Sequence, residues 1–331
     1  MVTQRHLRGH EQCRACGPDG FLIEGPGPFQ DRPGSLTVET CLSEAHQGWI
    51  HVPHGGIGMA LILELARSHA PDGEGCFIDY PFRGSFRWGG PAVSIGERVA
   101  ISIEPQPGRI RGSIWKAEEQ ASFPYLSAVL TDCAVEPEAL SSRALSLVES
   151  LGTDLKARAF ELPRYRECFV CGFERQAPGL RCTFYLIQQN GTKSVFSFHG
   201  LDPDDEDHFY WLRISDKELH PGVVASVMDE VMGWSGFVTC KQGGVTVKIE
   251  IDFLRPVSPG ERLLCCARCT HVKGRGPHRQ FWFSEAMVLP LLGDDHVPVA
   301  VGRGQWLAVP MLTEEMKSNL LPRSAVLDLF S

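Results

Sequence analysis

The chain of 331 residues lacks any uninterrupted apolar run of the ~18–20 residues that a membrane-spanning helix requires. It lacks the apolar core of a secretory signal, because it begins MVTQRHLRGHEQCRACG. It also lacks a surplus of positive charge, and its formal net charge of −8 disfavours general nucleic-acid binding. We therefore expect a cytoplasmic protein that binds neither membranes nor nucleic acids.

Motifs of several common enzyme classes are also missing. No glycine-rich nucleotide loop and no Ser/His/Asp motif stands out, and we expect no cofactor. What is present is a globular balance of 43% hydrophobic and 22% charged residues, over a length sufficient for two domains. The 12 cysteines, without a secretory signal, indicate reduced thiols rather than disulfides.

Four short motifs occur twice in the same order, which predicts a tandem duplication. CRACG pairs with CFVCG, HGG with HPG, GER with a second GER, and YLSAVLTDCAVEP with PVAVGRGQWLAVP. The spacing between copies stays between 155 and about 175 residues, as loop insertions would allow. We assign a first repeat to residues 1–136, a linker with one surface helix to 137–163, a second repeat to 164–310 and a C-terminal tail, a short helix or an arm, to 311–331.

Each repeat carries the pattern of one long apolar helix followed by several strands. The helices are predicted at about 57–69 and 222–238, and alternating segments such as GVTVKIEIDFLRPV predict strands. One buried helix wrapped by about five strands is an α+β layer, so the predicted fold class is α+β.

The motifs CFVCG, HPGVVASVMDEVMGW and VKIEIDFLRPVSPGERL, with QGW and HGG in the first repeat, resemble the hotdog-fold acyl-CoA thioesterases. The phenylacetyl-CoA-thioesterase-like branch is the most similar. The resemblance covers nearly the whole chain as two copies. It implies a double hotdog, in which an antiparallel sheet wraps the long helix of each unit and the active sites lie between units. It also implies an acyl-CoA substrate, coenzyme A as leaving group and a homodimer of double hotdogs as one assembly.

Thioester hydrolysis requires donors for the developing oxyanion and a carboxylate that activates water or attacks the carbonyl. A helix N-terminus supplies unpaired N–H groups, and glycine allows close approach, so Gly55 and Gly56 after His54 are candidate donors. Asp229 follows His220 by nine residues, roughly 13–14 Å along a helix. It therefore requires the helix start of another unit, and the resemblance implies that this acid faces the His-Gly turn of the partner unit.

The two repeats differ at two positions that matter for this chemistry. Pro221 replaces Gly55 and has no N–H, and Leu63 stands where the second repeat has Asp229. We therefore predict one composite site, with Asp229 facing His54, Gly55 and Gly56. The resemblance places Gln47 and His54 at the thioester. Glu64, which aligns with Glu230, is an alternative acid if the helix shifts.

Several plainer interpretations stay open beside this one. His54 and His220 could only cap helices, and Pro221 is an ordinary first-turn residue. Four cysteines, Cys13, Cys16, Cys168 and Cys171, could form one zinc site, but buried thiols are the simpler interpretation and we expect no metal. The rival functions are a hydratase or dehydratase on the same fold and a non-catalytic acyl-CoA-binding protein.

Overall fold

A computed structural model describes twelve segments of the chain. They are residues 21–23, 30–32, 35–68, 79–118, 122–134, 159–175, 178–189, 191–199, 213–215, 217–274, 280–291 and 297–320. The α-helices in this part are α1 Gly55–Ser68, α2 Pro221–Cys240 and α3 Pro310–Glu315. A 3₁₀-helix at Glu44–His46 precedes α1, and a π-helical turn at Met316–Leu320 follows α3.

The strands fall into two series along the chain. The first is β1 Gln30–Arg32, β2 Ser35–Cys41, β3 Gln47–Trp49, β4 Val52–Pro53, β5 Phe82–Trp88, β6 Arg98–Gln106, β7 Arg109–Lys116 and β8 Leu126–Asp132. The second is β9 Phe160–Glu161, β10 Phe184–Gln189, β11 Thr192–His199, β12 Arg213–Ser215, β13 Glu218–Leu219, β14 Gly244–Phe253, β15 Leu263–Lys273, β16 Phe281–Pro290 and β17 Ala300–Ala308. We call residues up to 134 the first half and residues from 159 the second half.

Thirteen strands form one antiparallel sheet that runs through both halves. Their order is β1-β2-β6-β7-β8-β5-β14-β17-β16-β15-β11-β10-β9. Strands of the first half occupy one side of the sheet and strands of the second half the other. The order on one side mirrors the order on the other, with β9 added at an edge. Alternating burial along β2, β6 and β8 shows that one face of the sheet covers the core.

The two halves join where β5 pairs with β14 in the middle of the sheet. At this junction Phe82 stacks on Phe253 with ring centroids 4.6 Å apart. The next pair along the register is charged: Arg83 Nε and Nη2 donate to the Asp252 carboxylate at 2.5 and 2.9 Å. A continuous backbone ladder, an aromatic stack and a bidentate ion pair therefore hold the halves in one register.

The helices α1 and α2 pack against each other inside the sheet. They approach closely at Gly56, where an added Cβ would lie 2.4 Å from the Ser226 Cα, and at Gly222, where it would lie 2.4 Å from the Ala60 Cβ. Ser226 follows Ala60 by 166 residues, and Gly222 follows Gly56 by 166 residues. This is also the spacing between the HGG and HPG motifs. The two helix starts therefore cross the opposite helix in equivalent ways.

The observed elements match most of the sequence predictions that fall on the described residues. The helices predicted at 57–69 and 222–238 begin and end within two residues of those limits. Most of the predicted linker, residues 137–163, lies outside the described residues. Its residues 159–163 are described, and they include β9, which pairs with β10. The sheet therefore extends N-terminal to the boundary predicted at residue 164. The tail, for which the sequence left a short helix or an arm open, begins with the helix at Pro310–Glu315. No helix among the described residues is long and apolar enough to cross a membrane.

Candidate active site

His54 closes the N-terminus of α1 as its cap. Its Nδ1 accepts a hydrogen bond of 2.9 Å from the Gly56 N–H. This amide fixes the neutral tautomer, because Nδ1 must be the acceptor and the ring proton then resides on Nε2. Nε2 lies 3.0 Å from Glu230 Oε2 on α2. Both ring nitrogens of this buried histidine therefore have partners within the protein.

Asp229 of α2 lies at the start of α1, as the helix geometry predicted. Its Oδ2 is 3.8 Å from His54 Nδ1, and its Oδ1 accepts a hydrogen bond of 2.8 Å from the Thr246 hydroxyl. Burial raises the pKa of Asp229 to about 6, although His54, Thr246 and the Gly56 amide act to lower it. The ladder between β14 and β17 shifts register next to Thr246, and such bulges re-aim side chains near functional sites.

Asp229, His54 and Gly55 line a cavity of about 240 Å³ between the two halves. The rest of its wall is largely apolar and comes from both halves, and seven of its residues are aromatic: Trp49, Trp88, Tyr125, Tyr165, Trp234, Phe237 and Trp306. Gly55 is the first residue of α1, where a backbone N–H has no intrahelical acceptor. The cavity thus joins a buried carboxylate and a helix N-terminus to an apolar space.

A tight turn of the second half, formed by the CFVCG motif, completes the wall. Cys168 and Cys171 line the cavity beside His54 and Glu230. Burial raises the pKa of Cys168, but hydrogen bonds from Cys171 and His54 outweigh burial and bring it down to about 6. One face of the site therefore carries two thiols, an imidazole and a carboxylate, and the ligand atoms of Cys168, His54 and Glu230 lie within 4.8 Å of one another.

The other half contains an equivalent histidine–glutamate pair, which is fully buried; we call it the sealed copy. His220 Nδ1 accepts a hydrogen bond of 2.9 Å from the Gly222 N–H, and His220 Nε2 lies 2.9 Å from Glu64 Oε2. Both side chains are fully buried, and neither lines the 240 Å³ cavity. Leu63 occupies the place of Asp229. Glu64, the alternative acid of the sequence analysis, therefore pairs with His220 and does not line this cavity.

Comparisons with known proteins show which family and which solved structures this chain resembles. Residues 217–276 match the family model of the thioesterase superfamily. This match confirms the predicted resemblance, and the matched segment carries Asp229, Glu230 and Thr246. A comparison with curated protein sequences gives no match.

Solved structures resemble nearly the whole chain. An inactive variant of the CurJ dehydratase, bound to a compound, matches with a TM-score of 0.53 at 12% identity, over 88% of this chain and 98% of that one. The dehydratase domain of PpsC from Mycobacterium tuberculosis, in complex with C12:1-CoA, matches with a TM-score of 0.50 at 11% identity, over 87% and 98%. The acyl-CoA thioesterase II TesB2 from Mycobacterium marinum matches with a TM-score of 0.45 at 10% identity, over 86% and 96%. The first two show that this chain has the hotdog fold.

Two residues predicted at the thioester have other partners in the structure. The Gln47 side chain donates to Glu167 Oε2 at 3.2 Å and accepts from the His51 N–H at 3.3 Å, and Gln47 is not part of the cavity wall. The Gly56 amide is occupied by His54 Nδ1. Of the predicted oxyanion donors, Gly55 is therefore the one whose place at the cavity fits that role.

Sequence reasoning missed several residues of the cavity wall. Thr246 and Tyr125 are brought in by strand pairing and carry no local motif that could have identified them. Burial raises the pKa of Tyr125 to about 12, so its hydroxyl remains a donor at neutral pH. Glu230 and Cys168 did carry a signal, since one follows Asp229 directly and the other begins CFVCG.

The Thr246→Val substitution tests how far Asp229 depends on its hydroxyl partner. Valine keeps the shape of threonine but leaves Asp229 Oδ1 without its 2.8 Å donor. We expect thioester turnover to fall about ten-fold, because a carboxylate that loses one donor is less firmly held in position. Steady-state kinetics of the two proteins at one pH measure this. Unchanged turnover would show that Thr246 does not position Asp229.

The Glu64→Gln substitution separates stability from activity. Because it removes a fully buried charge from the pair with His220, we expect the free energy of unfolding to fall by about 1–3 kcal/mol. Turnover should stay within two-fold of the wild type, since Glu64 does not line the cavity. Urea unfolding and steady-state kinetics on the same preparation test both statements. A large loss of turnover in a stable variant would return Glu64 to the mechanism.

Proposed function

We propose that this chain is a double-hotdog thioesterase that hydrolyses an acyl-CoA to the free acid and coenzyme A. Its one working site is composite, with the carboxylate of Asp229 from the second half and the start of α1 from the first half. Asp229 acts as general base or nucleophile, and Gly55 N–H binds the oxyanion. His54 holds the helix start in place rather than contacting the reacting atoms.

The observation that carries this proposal is the position of the Asp229 carboxylate at a helix N-terminus inside a largely apolar cavity. Acting as base, Asp229 takes a proton from water while the oxygen of that water bonds to the thioester carbon. The carbonyl oxygen gains negative charge, which the Gly55 N–H and the positive end of α1 stabilise. The carbon–sulfur bond then breaks, the proton passes from Asp229 to the thiolate, and the acid and coenzyme A leave.

The aromatic wall supports an acyl substrate. Rings from both halves surround the carboxylate, and apolar walls favour binding of an acyl group while excluding bulk water. A water-poor site strengthens the attraction between the oxyanion and its N–H donor. The reacting carbonyl is therefore placed between Gly55 and Asp229, with the acyl chain against the aromatic side chains.

A dehydratase or hydratase requires a group that moves a proton at a carbon of the acyl chain. In this chain the obvious candidate, His54, has Nδ1 engaged by the Gly56 amide and Nε2 engaged by Glu230. An imidazole with both nitrogens occupied is poorly placed to exchange protons with substrate. The site therefore favours hydrolysis by a carboxylate over dehydration by a histidine.

The test is thiol release from a panel of short, long and aromatic acyl-CoAs, run beside hydration of an enoyl-CoA. We expect coenzyme A release from at least one member and no hydration. Hydration without thiol release would replace the proposal with a hydratase. Binding of acyl-CoA with neither reaction would identify a non-catalytic binding protein.

A further inference from the structure

Two thiols in the cavity wall are in contact with each other. Cys168 and Cys171 both line the 240 Å³ cavity, and the Cys171 thiol forms a hydrogen bond with Cys168. Of the nine cysteines that the structure describes, these are the two that line it. A small oxidant that enters the cavity therefore meets two neighbouring sulfur atoms.

The CFVCG turn holds these sulfur atoms where they can bond to each other. The Gly172 N–H donates to the Cys168 carbonyl at 2.8 Å, so the backbone makes a single turn of the α-helical type. In such a turn, Cα atoms three residues apart are separated by roughly 5 Å, within the range of about 4.4–6.8 Å that disulfides span. A Cβ at Gly172 would lie 2.4 Å from the Cys168 oxygen, so glycine is required for this turn. Cys168 and Cys171 can therefore form a disulfide with little change of the backbone.

The turn is anchored to the first half of the molecule. The Phe169 N–H donates to the Gln47 carbonyl at 2.7 Å. The Arg175 guanidinium donates to the carbonyls of Glu167 and Glu44 at 2.7 and 3.0 Å, and Glu44 belongs to the first half. These bonds keep the turn in place whether its thiols are reduced or oxidised.

Hydrogen-bond donors distinguish Cys168 as the more nucleophilic of the two sulfur atoms. The Val170 N–H donates to Cys168 Sγ at 3.3 Å. The His54 ring also forms a hydrogen bond with Cys168. Because Nδ1 of this ring accepts from the Gly56 amide, the proton that the ring offers to sulfur is on Nε2. With the Cys171 thiol as a third donor, the surroundings of Cys168 stabilise a thiolate, which is the reactive form of cysteine.

Charge acts on Cys168 in both directions. The buried Arg175 guanidinium attracts negative charge on this sulfur, whereas the Glu230 carboxylate, within 4.8 Å, repels it. Burial and Glu230 raise the pKa of Cys168, but hydrogen bonds from Cys171 and His54 outweigh both and bring it down to about 6. Burial instead raises the pKa of the Cys182 thiol well above its ordinary value. Cys182 is therefore an unreactive thiol with which Cys168 can be compared.

We propose that Cys168 and Cys171 form a peroxide-reactive dithiol in the cavity wall, with Cys168 as the attacking thiolate and Cys171 as the resolving thiol. The Cys168 sulfur bonds to one oxygen of hydrogen peroxide and the O–O bond breaks. Cys168 becomes a sulfenic acid, and the departing hydroxide takes a proton to become water. The Cys171 sulfur then bonds to the Cys168 sulfur, and the Cys171 proton leaves with the sulfenic hydroxyl as a second water.

The electrons balance over the two steps. Two thiols are oxidised to one disulfide, and one peroxide is reduced to two waters. A dithiol reductant restores both cysteines by thiol–disulfide exchange and is itself oxidised to a disulfide. The resting protein keeps the reduced thiols that the sequence predicts. The proposal does not depend on the proposed hydrolysis.

The test is peptide mapping of the full-length protein after brief exposure to hydrogen peroxide, with free thiols then blocked by iodoacetamide. Trypsin cleaves after Arg166 and Arg175, which leaves Cys168 and Cys171 together in the peptide of residues 167–175. We expect this peptide to escape blocking and to be lighter than the reduced peptide by two hydrogen atoms. Dithiothreitol should restore both thiols. Cys182 falls in the peptide of residues 182–193 and should be oxidised at least about ten-fold more slowly.

The same map separates this disulfide from another pair of thiols. Cys240 and Cys269 also form a hydrogen bond with each other, but they do not line the cavity. They lie in different tryptic peptides, so a bond between them would appear as a cross-link between two peptides. A peptide of residues 167–175 that stays reduced under peroxide that oxidises Cys182 would overturn the proposal, and this measurement requires no substitution.

Two variants assign the roles of the two sulfur atoms. In Cys171→Ser we expect Cys168 to stop at the sulfenic acid, which dimedone traps as a stable adduct. In Cys168→Ser, trapping on Cys171 should be at least about ten-fold lower, because Cys171 then lacks the donors that stabilise a thiolate. Equal trapping in the two variants would overturn the assignment of Cys168 as the attacking thiolate. A disulfide that forms in wild-type protein only after unfolding in urea would overturn the role of the folded turn.

Discussion

The Asp229→Asn variant is expected to lose thioester turnover by about 10³-fold, within the ~10²–10⁴-fold range of a general acid–base group. Asparagine has the shape of aspartate, and its side-chain oxygen can still accept the 2.8 Å hydrogen bond from Thr246. The cavity should therefore keep its form. What disappears is a group that can take a proton from water or attack the carbonyl, so kcat falls while KM changes little.

The measurement is kcat and KM for the best substrate of the panel, with acyl-CoA binding followed by calorimetry. Glu64→Gln serves as the control, because it removes a buried carboxylate from the equivalent helix of the other half, at the position that corresponds to Glu230. A loss confined to Asp229→Asn supports one composite site. Turnover of Asp229→Asn within about ten-fold of the wild type would remove Asp229 from the chemistry, since positioning losses alone reach that size.

The arrangement of Asp229 could be predicted because helix geometry excludes its own helix start and the resemblance implies that the acid faces the His-Gly turn of the partner unit. Nine residues of helix place Asp229 far from its own helix start, and the duplication supplies a second start for it to meet. The structure places Oδ2 3.8 Å from His54 Nδ1, as that argument requires. The strands could be predicted equally well, because the alternation of buried and exposed residues along β2, β6 and β14 is visible in the local sequence.

Side-chain partnership within the site could not be predicted in the same way. Gln47 and Glu64 satisfy every local criterion for a role at the thioester, yet three-dimensional neighbours hold them elsewhere. Glu167 accepts a hydrogen bond from the Gln47 side-chain amide, and His220 pairs with the Glu64 carboxylate. Both partners are more than 100 residues away in the chain, and their contacts depend on how the halves pack.

The CFVCG motif illustrates a second limit. As sequence, it is two cysteines separated by two residues, and a partner for them is not visible. The fold brings Cys168 of the second half to within 4.8 Å of His54 of the first half, so this contact becomes apparent only after the sheet is assembled across both halves. The sequence left a four-cysteine zinc site open beside the simpler interpretation of buried thiols, and two of its members, Cys13 and Cys16, lie outside the described residues.

The Gly56→Ala variant is expected to lower the free energy of unfolding by about 3 kcal/mol or more, at the upper end of overpacking effects. The new Cβ would lie 2.1 Å from Ser226 Oγ and 2.4 Å from Ser226 Cα. A rotamer change can move a hydroxyl, but it cannot move a Cα, so α1 and α2 must separate. Alanine is the better helix former by about 1 kcal/mol, which offsets only part of this cost. Urea unfolding measures the net effect.

Two further variants show whether the loss comes from backbone contact. Gly89→Ala adds the same methyl group where nothing lies within 4 Å, and its stability should change by less than about 0.5 kcal/mol. Ser226→Gly, combined with Gly56→Ala, removes the hydroxyl but leaves the Cα in place, so it should recover little. Full recovery in the double variant would show that only the serine side chain was in the way.

Because Asp229 lies one helical turn after Ser226, separation of the helices also moves the carboxylate away from Gly55. Turnover of Gly56→Ala should therefore fall with its stability, even under conditions where the variant remains folded.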